Sequence, residues 1–113
     1  MKIAVPTCQG KSCRDFNRYE GFAIFTARHR QIEKTERGFP PGDNPAALLR
    51  WLKKNRVGMV IAGHIPSKVR QLLDAHRIVT IAGAPPADPR LLAEFYLMTG
   101  EEPAKEPNQR RFS

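Results

Sequence analysis

The stretch Val57-Gly58-Met59-Val60-Ile61-Ala62-Gly63-His64-Ile65-Pro66-Ser67 constrains this chain more than any other. Its first half is a short, nearly unbroken apolar run, which suits a strand covered on both faces at the centre of an α/β sheet. Its second half is a glycine-bearing turn ahead of a helical pattern, and the turn carries a histidine. Ligands of open α/β sheets sit in the crevice beyond the carboxyl ends of the strands. His64, able to bind metal or exchange protons, is therefore the first place to look for chemistry.

The other elements can be ordered around that strand. Residues 2–6 read as a first strand, with the β-branched pair Ile3 and Val5 and with Pro6 closing it. Residues 7–19 read as a polar loop, long enough to be functional. Residues 22–26 form a second strand. Residues 31–37 form an exposed edge strand, joined to the second by the turn Arg28-His29-Arg30. Gly38-Phe39-Pro40-Pro41-Gly42 breaks the chain. Asn44-Pro45 then caps a helix whose apolar stripe is Leu48, Leu49, Trp51 and Leu52. A second helix starts at Ser67, buries Val69, Leu72 and Leu73, and ends near His76. Residues 78–82 are a further strand, and Asp88-Pro89 opens a last helix with Leu91, Leu92 and Phe95 as its inner face and Gly100 as its stop.

The order βββαβαβα predicts an α/β fold, a five-stranded mixed sheet with helices packed against it, because the later strands need crossover helices to run parallel. The right-handedness of such crossovers places the first strand beside the one ending at Gly63. Cys8, Cys13 and His64 then emerge on a common rim.

At 113 residues the chain makes one domain, expected over residues 1–100. Residues 101–113 hold two prolines, no apolar periodicity and a basic end, and are expected to be disordered. No apolar run approaches the ~20 residues that cross a bilayer, so no membrane partner is expected and a cytoplasmic location is. The net charge of +8 favours anionic partners. The basic residues are dispersed, however: Lys11, Arg14 and Arg18; Arg28 and Arg30; Arg50, Lys53, Lys54 and Arg56. That spread does not favour nucleic acid. Two cysteines are too few for a secreted disulfide framework and are spaced more widely than the usual zinc pair, so they are read as free thiols.

Certain fragments also resemble a known family. Met1-Lys2-Ile3-Ala4-Val5-Pro6-Thr7 at the start, Ser12 with Phe16 and Arg18 ahead of Phe22, Trp51-Leu52 before the run from Val57 to Gly63, and Ile78-Val79 before Gly83-Ala84 are together similar to the dinitrogenase iron-molybdenum cofactor biosynthesis family. That family comprises the NifX and NafY type accessory proteins and the similar carboxy-terminal domain of NifB. The resemblance implies a ribonuclease H-like three-layer domain with helices on both faces. It implies a non-catalytic protein that binds, carries or delivers an iron-sulfur or molybdenum-containing cluster, with cluster donor and acceptor proteins as partners. The chain departs from the family pattern at three positions. His64 stands where a second glycine is common, Asn17 interrupts a Phe-Gly-Arg run, and Asp15 occupies a position that is often histidine.

Metal-sulfur clusters take thiolate and imidazole ligands. Cys8, Cys13 and His64 are thus the candidate metal ligands, with Gly63, Arg14 and Arg18 as supports for an anionic cargo ahead of a helix start. Three ligands are fewer than four, so the cargo would be partly exposed, bring its own ligands, or be shared between two chains in a homodimer. The plain alternative is structural thiols and a solvated basic surface. A nuclease is disfavoured because residues 2–6 and 59–62 contain no carboxylate to hold catalytic metals. The other class open to the chain is a nucleic-acid-binding or protein-interaction module that keeps the fold without the cargo.

Overall fold

Side chains alternate along a strand, and the first strand uses both of its faces: Ile3 and Val5 join one buried cluster, while Ala4 joins the other. A strand buried on both sides lies in the interior of a sheet, with helices above and below it. The computed structural model, which describes residues 1–42 and 44–100, has that arrangement. β1 (Lys2–Cys8) pairs antiparallel with β3 (Gly21–Arg28), and β3 pairs antiparallel with β4 (Gln31–Gly38). On its other side β1 runs parallel to β5 (Met59–Ile61), which runs parallel to β6 (Val79–Ile81). The order β4-β3-β1-β5-β6 makes a mixed sheet and puts β1 beside the Val57–Gly63 segment, as the topology argument required.

Three helices cover it. α1 (Pro45–Lys54) and α2 (Ser67–Ala75) bury Leu48, Leu49, Leu52, Val69 and Leu73 on one face, against Ala4, Phe22, Ile24 and Val60. α3 (Pro89–Thr99) buries Leu92, Ala93 and Leu97 on the opposite face, against Ile3, Val5, Phe25 and Ile61. The domain is therefore a sheet between two helical layers. Both proline-initiated helices are capped as read: the Asn44 side chain accepts from the Ala47 N–H at 2.7 Å, and that of Asp88 from the Arg90 N–H at 2.9 Å. Gly100 ends α3 in the left-handed region, at φ 71°.

The structure corrects several expectations. Pro6 does not close the first strand; it sits within β1 opposite Phe22. The ladder to β5 has ended by then, at Ile3 and Ala4, so the missing N–H of Pro6 leaves no partner strand unsatisfied. A sixth short strand, β2 (Lys11–Ser12), takes that vacated flank, pairing with Thr7 and Cys8. The segment read as a polar loop is thus largely ordered. In α3, Leu91 and Phe95 do not face inward: they are 60% and 38% exposed, and Tyr96 and Leu97 pack toward the sheet instead. The expectation for residues 101–113 lies outside the described residues. Among the described residues no helix is long and apolar enough to cross a membrane.

Candidate functional site at the carboxyl rim of the sheet

The segment after β2 is drawn over the end of β5 by backbone hydrogen bonds. The His64 N–H donates to the Arg14 carbonyl at 2.8 Å, and the Phe16 N–H donates to the His64 carbonyl at 2.9 Å. Asp15 and His64 thereby form a parallel bridge that continues the sheet beyond its named strands. Residues 13–16 and 63–64, some fifty positions apart in the chain, are brought to one rim, as the topology had implied.

Gly63 makes this approach possible. A Cβ at that position would lie 2.3 Å from the Arg14 carbonyl oxygen and 2.9 Å from that of Cys13. These are backbone atoms, which cannot swing aside as the tip of a side chain can. Gly63 therefore acts through close backbone packing. Phe16–Arg18 form one turn of 3-10 helix, capped by the Asp15 carboxylate, which accepts from the Asn17 N–H at 3.0 Å. Phe16 anchors that turn in the core, edge-on to Tyr19 and Phe22.

Cys8 and Cys13 are not free thiols. They are joined in a disulfide, Cα to Cα 5.0 Å, and there is no free cysteine. The hairpin between β1 and β2 supplies the reason: Cys8 stands opposite Lys11, and the Cys13 N–H donates to the Pro6 carbonyl at 3.0 Å, bringing the two side chains within bonding reach. Sequence spacing alone hides this, because it carries no information about the hairpin. Cys13 is 1% exposed; Cys8 is half-buried, with its sulfur 3.1 Å from the Arg18 carbonyl oxygen.

The candidate ligands thus share a rim without forming a closed set. His64 is exposed, and no group of three His, Cys, Asp or Glu side chains among the described residues is placed to hold a metal ion. In the disulfide form neither sulfur is a thiolate, so any ligation through them requires reduction first. Arg14 and Arg18 are exposed on the same segment, as is Lys11, and none of the three forms an ion pair among the described residues. Beside them, α2 is preceded by Pro66 and has no side-chain cap. The rim can therefore offer positive charge to an anion. A recess of about 310 Å³ opens next to it, lined by Phe16, Asn17, Tyr19, Pro45, Leu48 and Val69. A larger one, about 600 Å³, lies between Met1, the His29 hairpin and the end of α3 and contains none of the candidate residues.

One residue that the chemistry had passed over turns out to hold the rim in place. Ser12, 2% exposed, gives its N–H to the Ala87 carbonyl at 2.8 Å, and its Oγ accepts from the Ala87 N–H at 2.9 Å and donates to the Pro85 carbonyl at 3.3 Å. The first loop is thereby fastened to the turn that precedes α3. Its only signal in the sequence was its place in the family-like fragment with Phe16 and Arg18.

Fold and rim together define an α/β domain whose candidate site lies past the carboxyl ends of its central parallel strands. No family model matches the chain, and no curated protein matches it by sequence. Solved structures do match. PH0822 superposes with a TM-score of 0.82 at 14% identity, over 96% of each chain. A protein of Methanocaldococcus jannaschii described as "a putative dinitrogenase" gives 0.73 at 15% identity, over 95% of this chain and 97% of that one. A Thermotoga protein described as "a putative NifB protein" of the DUF35 family gives 0.58 at 17% identity, over 88% of each. The fold is shared with all three, and the descriptions of the last two fit the family resemblance read from the sequence.

Proposed function

We propose that the protein is a non-catalytic accessory factor that binds, carries or delivers an iron-sulfur or molybdenum-containing cluster, of the kind used in nitrogenase cofactor biosynthesis, in the cytoplasm and on a ribonuclease H-like fold. The observation that carries this reading is the backbone docking of the Cys13–Phe16 segment onto Gly63 and His64, which puts both cysteines and the histidine on one rim. Sulfur and imidazole donors suit the cargo. Lys11, Arg14 and Arg18 supply the positive field that an anionic cluster needs. An incomplete ligand set, of which only His64 is exposed, suits a carrier, since its cargo must leave; a second copy of the chain would complete the set by sharing the cluster.

Anaerobic reconstitution of the reduced protein with ferrous iron, sulfide and molybdate tests this. A visible absorption band is expected, accompanied by bound metal and sulfide, and it should weaken in Cys8→Ala, Cys13→Ala and His64→Ala. Absence of a band in the reduced, folded protein would refute the reading. The surface charge of +8 supports one alternative, a nucleic-acid-binding module without nuclease activity. Salt-sensitive retention of an oligonucleotide with no chromophore would favour it instead.

A further inference from the structure

The Cys8–Cys13 disulfide sits on the rim and consumes two of the three candidate ligands, yet the segment that carries it is held in place by other means. The Cys13 N–H bonds to Pro6, Ser12 bonds to Pro85 and Ala87, the His64 N–H bonds to Arg14, and the Phe16 N–H bonds to His64. None of these bonds involves a sulfur atom, so the path of residues 12–16 is defined whether or not the sulfurs are joined. Reduction also leaves Cys8 with a partner: a thiol there can donate to the Arg18 carbonyl, already 3.1 Å from the sulfur. The two sulfurs are unequal in access. Cys13 is 1% exposed beneath the segment it anchors, whereas Cys8 is half-buried at the end of β1.

We infer that Cys8–Cys13 is an exchangeable redox site, entered by an external dithiol through Cys8, and that its reduction switches the rim from a form unable to ligate through sulfur to one that can. The switching role rests on the cluster-carrier reading; the exchange chemistry does not. A thiolate of the dithiol attacks the Cys8 sulfur, the Cys8–Cys13 bond breaks, and Cys13 leaves as the thiolate with the electron pair. The second thiol of the reductant, deprotonated, then attacks its own sulfur in the mixed disulfide and releases Cys8 as a thiolate. The dithiol ends as a disulfide, oxidised by two electrons; the protein gains those electrons as two thiolates, which take up protons or metal. Lys11, Arg14 and Arg18, exposed on the same segment, attract anionic thiols.

The test uses the full chain without metal. Brief exposure to glutathione, acid quenching and peptide mapping should show the mixed disulfide on Cys8 in about tenfold or greater excess over Cys13, since access selects the sulfur attacked. Adducts chiefly on Cys13, or a disulfide that excess dithiothreitol opens only in denaturant, would overturn the inference. Reconstitution with iron, sulfide and molybdate then compares oxidised with reduced protein. A chromophore in the reduced form alone supports the switch. Equal chromophores in both, with the disulfide of the oxidised sample shown by alkylation to be intact after the reaction, overturn it. A chromophore in neither refutes the carrier reading and the switch with it, leaving entry through Cys8 to be judged on the adduct alone.

Discussion

At the scale of single residues, Gly63 and Ser12 carry most of the rim. A methyl group at Gly63 would meet the Arg14 carbonyl at 2.3 Å, so Gly63→Ala must push the Cys13–Phe16 segment away. The expected cost is roughly 1–3 kcal/mol, read as a lowered denaturant midpoint with unchanged slope. Gly58→Ala is the control: a Cβ there meets nothing within 4 Å, and its midpoint should stay within about 0.5 kcal/mol of the parent protein. Ser12→Ala leaves the Ala87 N–H without the oxygen it now uses, which should destabilise by about 1–3 kcal/mol. An unchanged midpoint in Ser12→Ala would mean that water substitutes for the hydroxyl. Gly63 was legible in the sequence as the glycine that ends the central strand, but the reason a glycine is needed there was not. An apolar run ending in glycine announces a turn, whereas the backbone that crosses it comes from fifty residues upstream. The pairing of Cys8 with Cys13 stayed hidden for a similar reason, since it depends on a two-residue strand with no periodicity to reveal it.

Among the elements, those with punctuation were the readable ones. Asn44-Pro45 and Asp88-Pro89 mark where α1 and α3 begin, because a capping side chain and a proline both suit a first turn whose amides lack helical partners. Asn44→Ala removes the bond to Ala47 and should cost about 1 kcal/mol in thermal or denaturant unfolding. The facing of α3 was the element misread. Leu91, Leu92, Phe95, Leu97 and Met98 are apolar all round the helix, so periodicity could not choose a side. The sheet selects Leu92, Ala93 and Leu97 and leaves Leu91 and Met98 60% and 71% exposed. Leu97→Ala should therefore cost roughly 2–5 kcal/mol, while Leu91→Ala should change stability by no more than about 0.5 kcal/mol. Equal losses would restore the original assignment. β4 explains its own legibility as an edge: its exposed run carries Glu33, Lys34, Glu36 and Arg37, with Lys34 and Glu36 paired at 2.8 Å. That contact holds the Glu36 carboxyl below its ordinary range and the Lys34 ammonium above its own.

For the molecule as a whole, the mixed sheet and its alternation of strands and helices followed from hydrophobic pattern, because each β-branched run needed cover on both faces. The sixth strand did not, since two residues carry no periodicity, and neither did the rim bonds, which join distant segments that no local pattern encodes. The Ser12 hydroxyl makes its bonds to residues 85 and 87, which lie 73 and 75 positions further along the chain. During synthesis, then, the fastening of the first loop by Ser12 waits until the turn before α3 has left the ribosome. In the finished protein the same bonds should tie two remote amides into a single opening event, so that Ser12 and Ala87 exchange hydrogen with solvent at matching rates, a coincidence that Ser12→Ala would abolish.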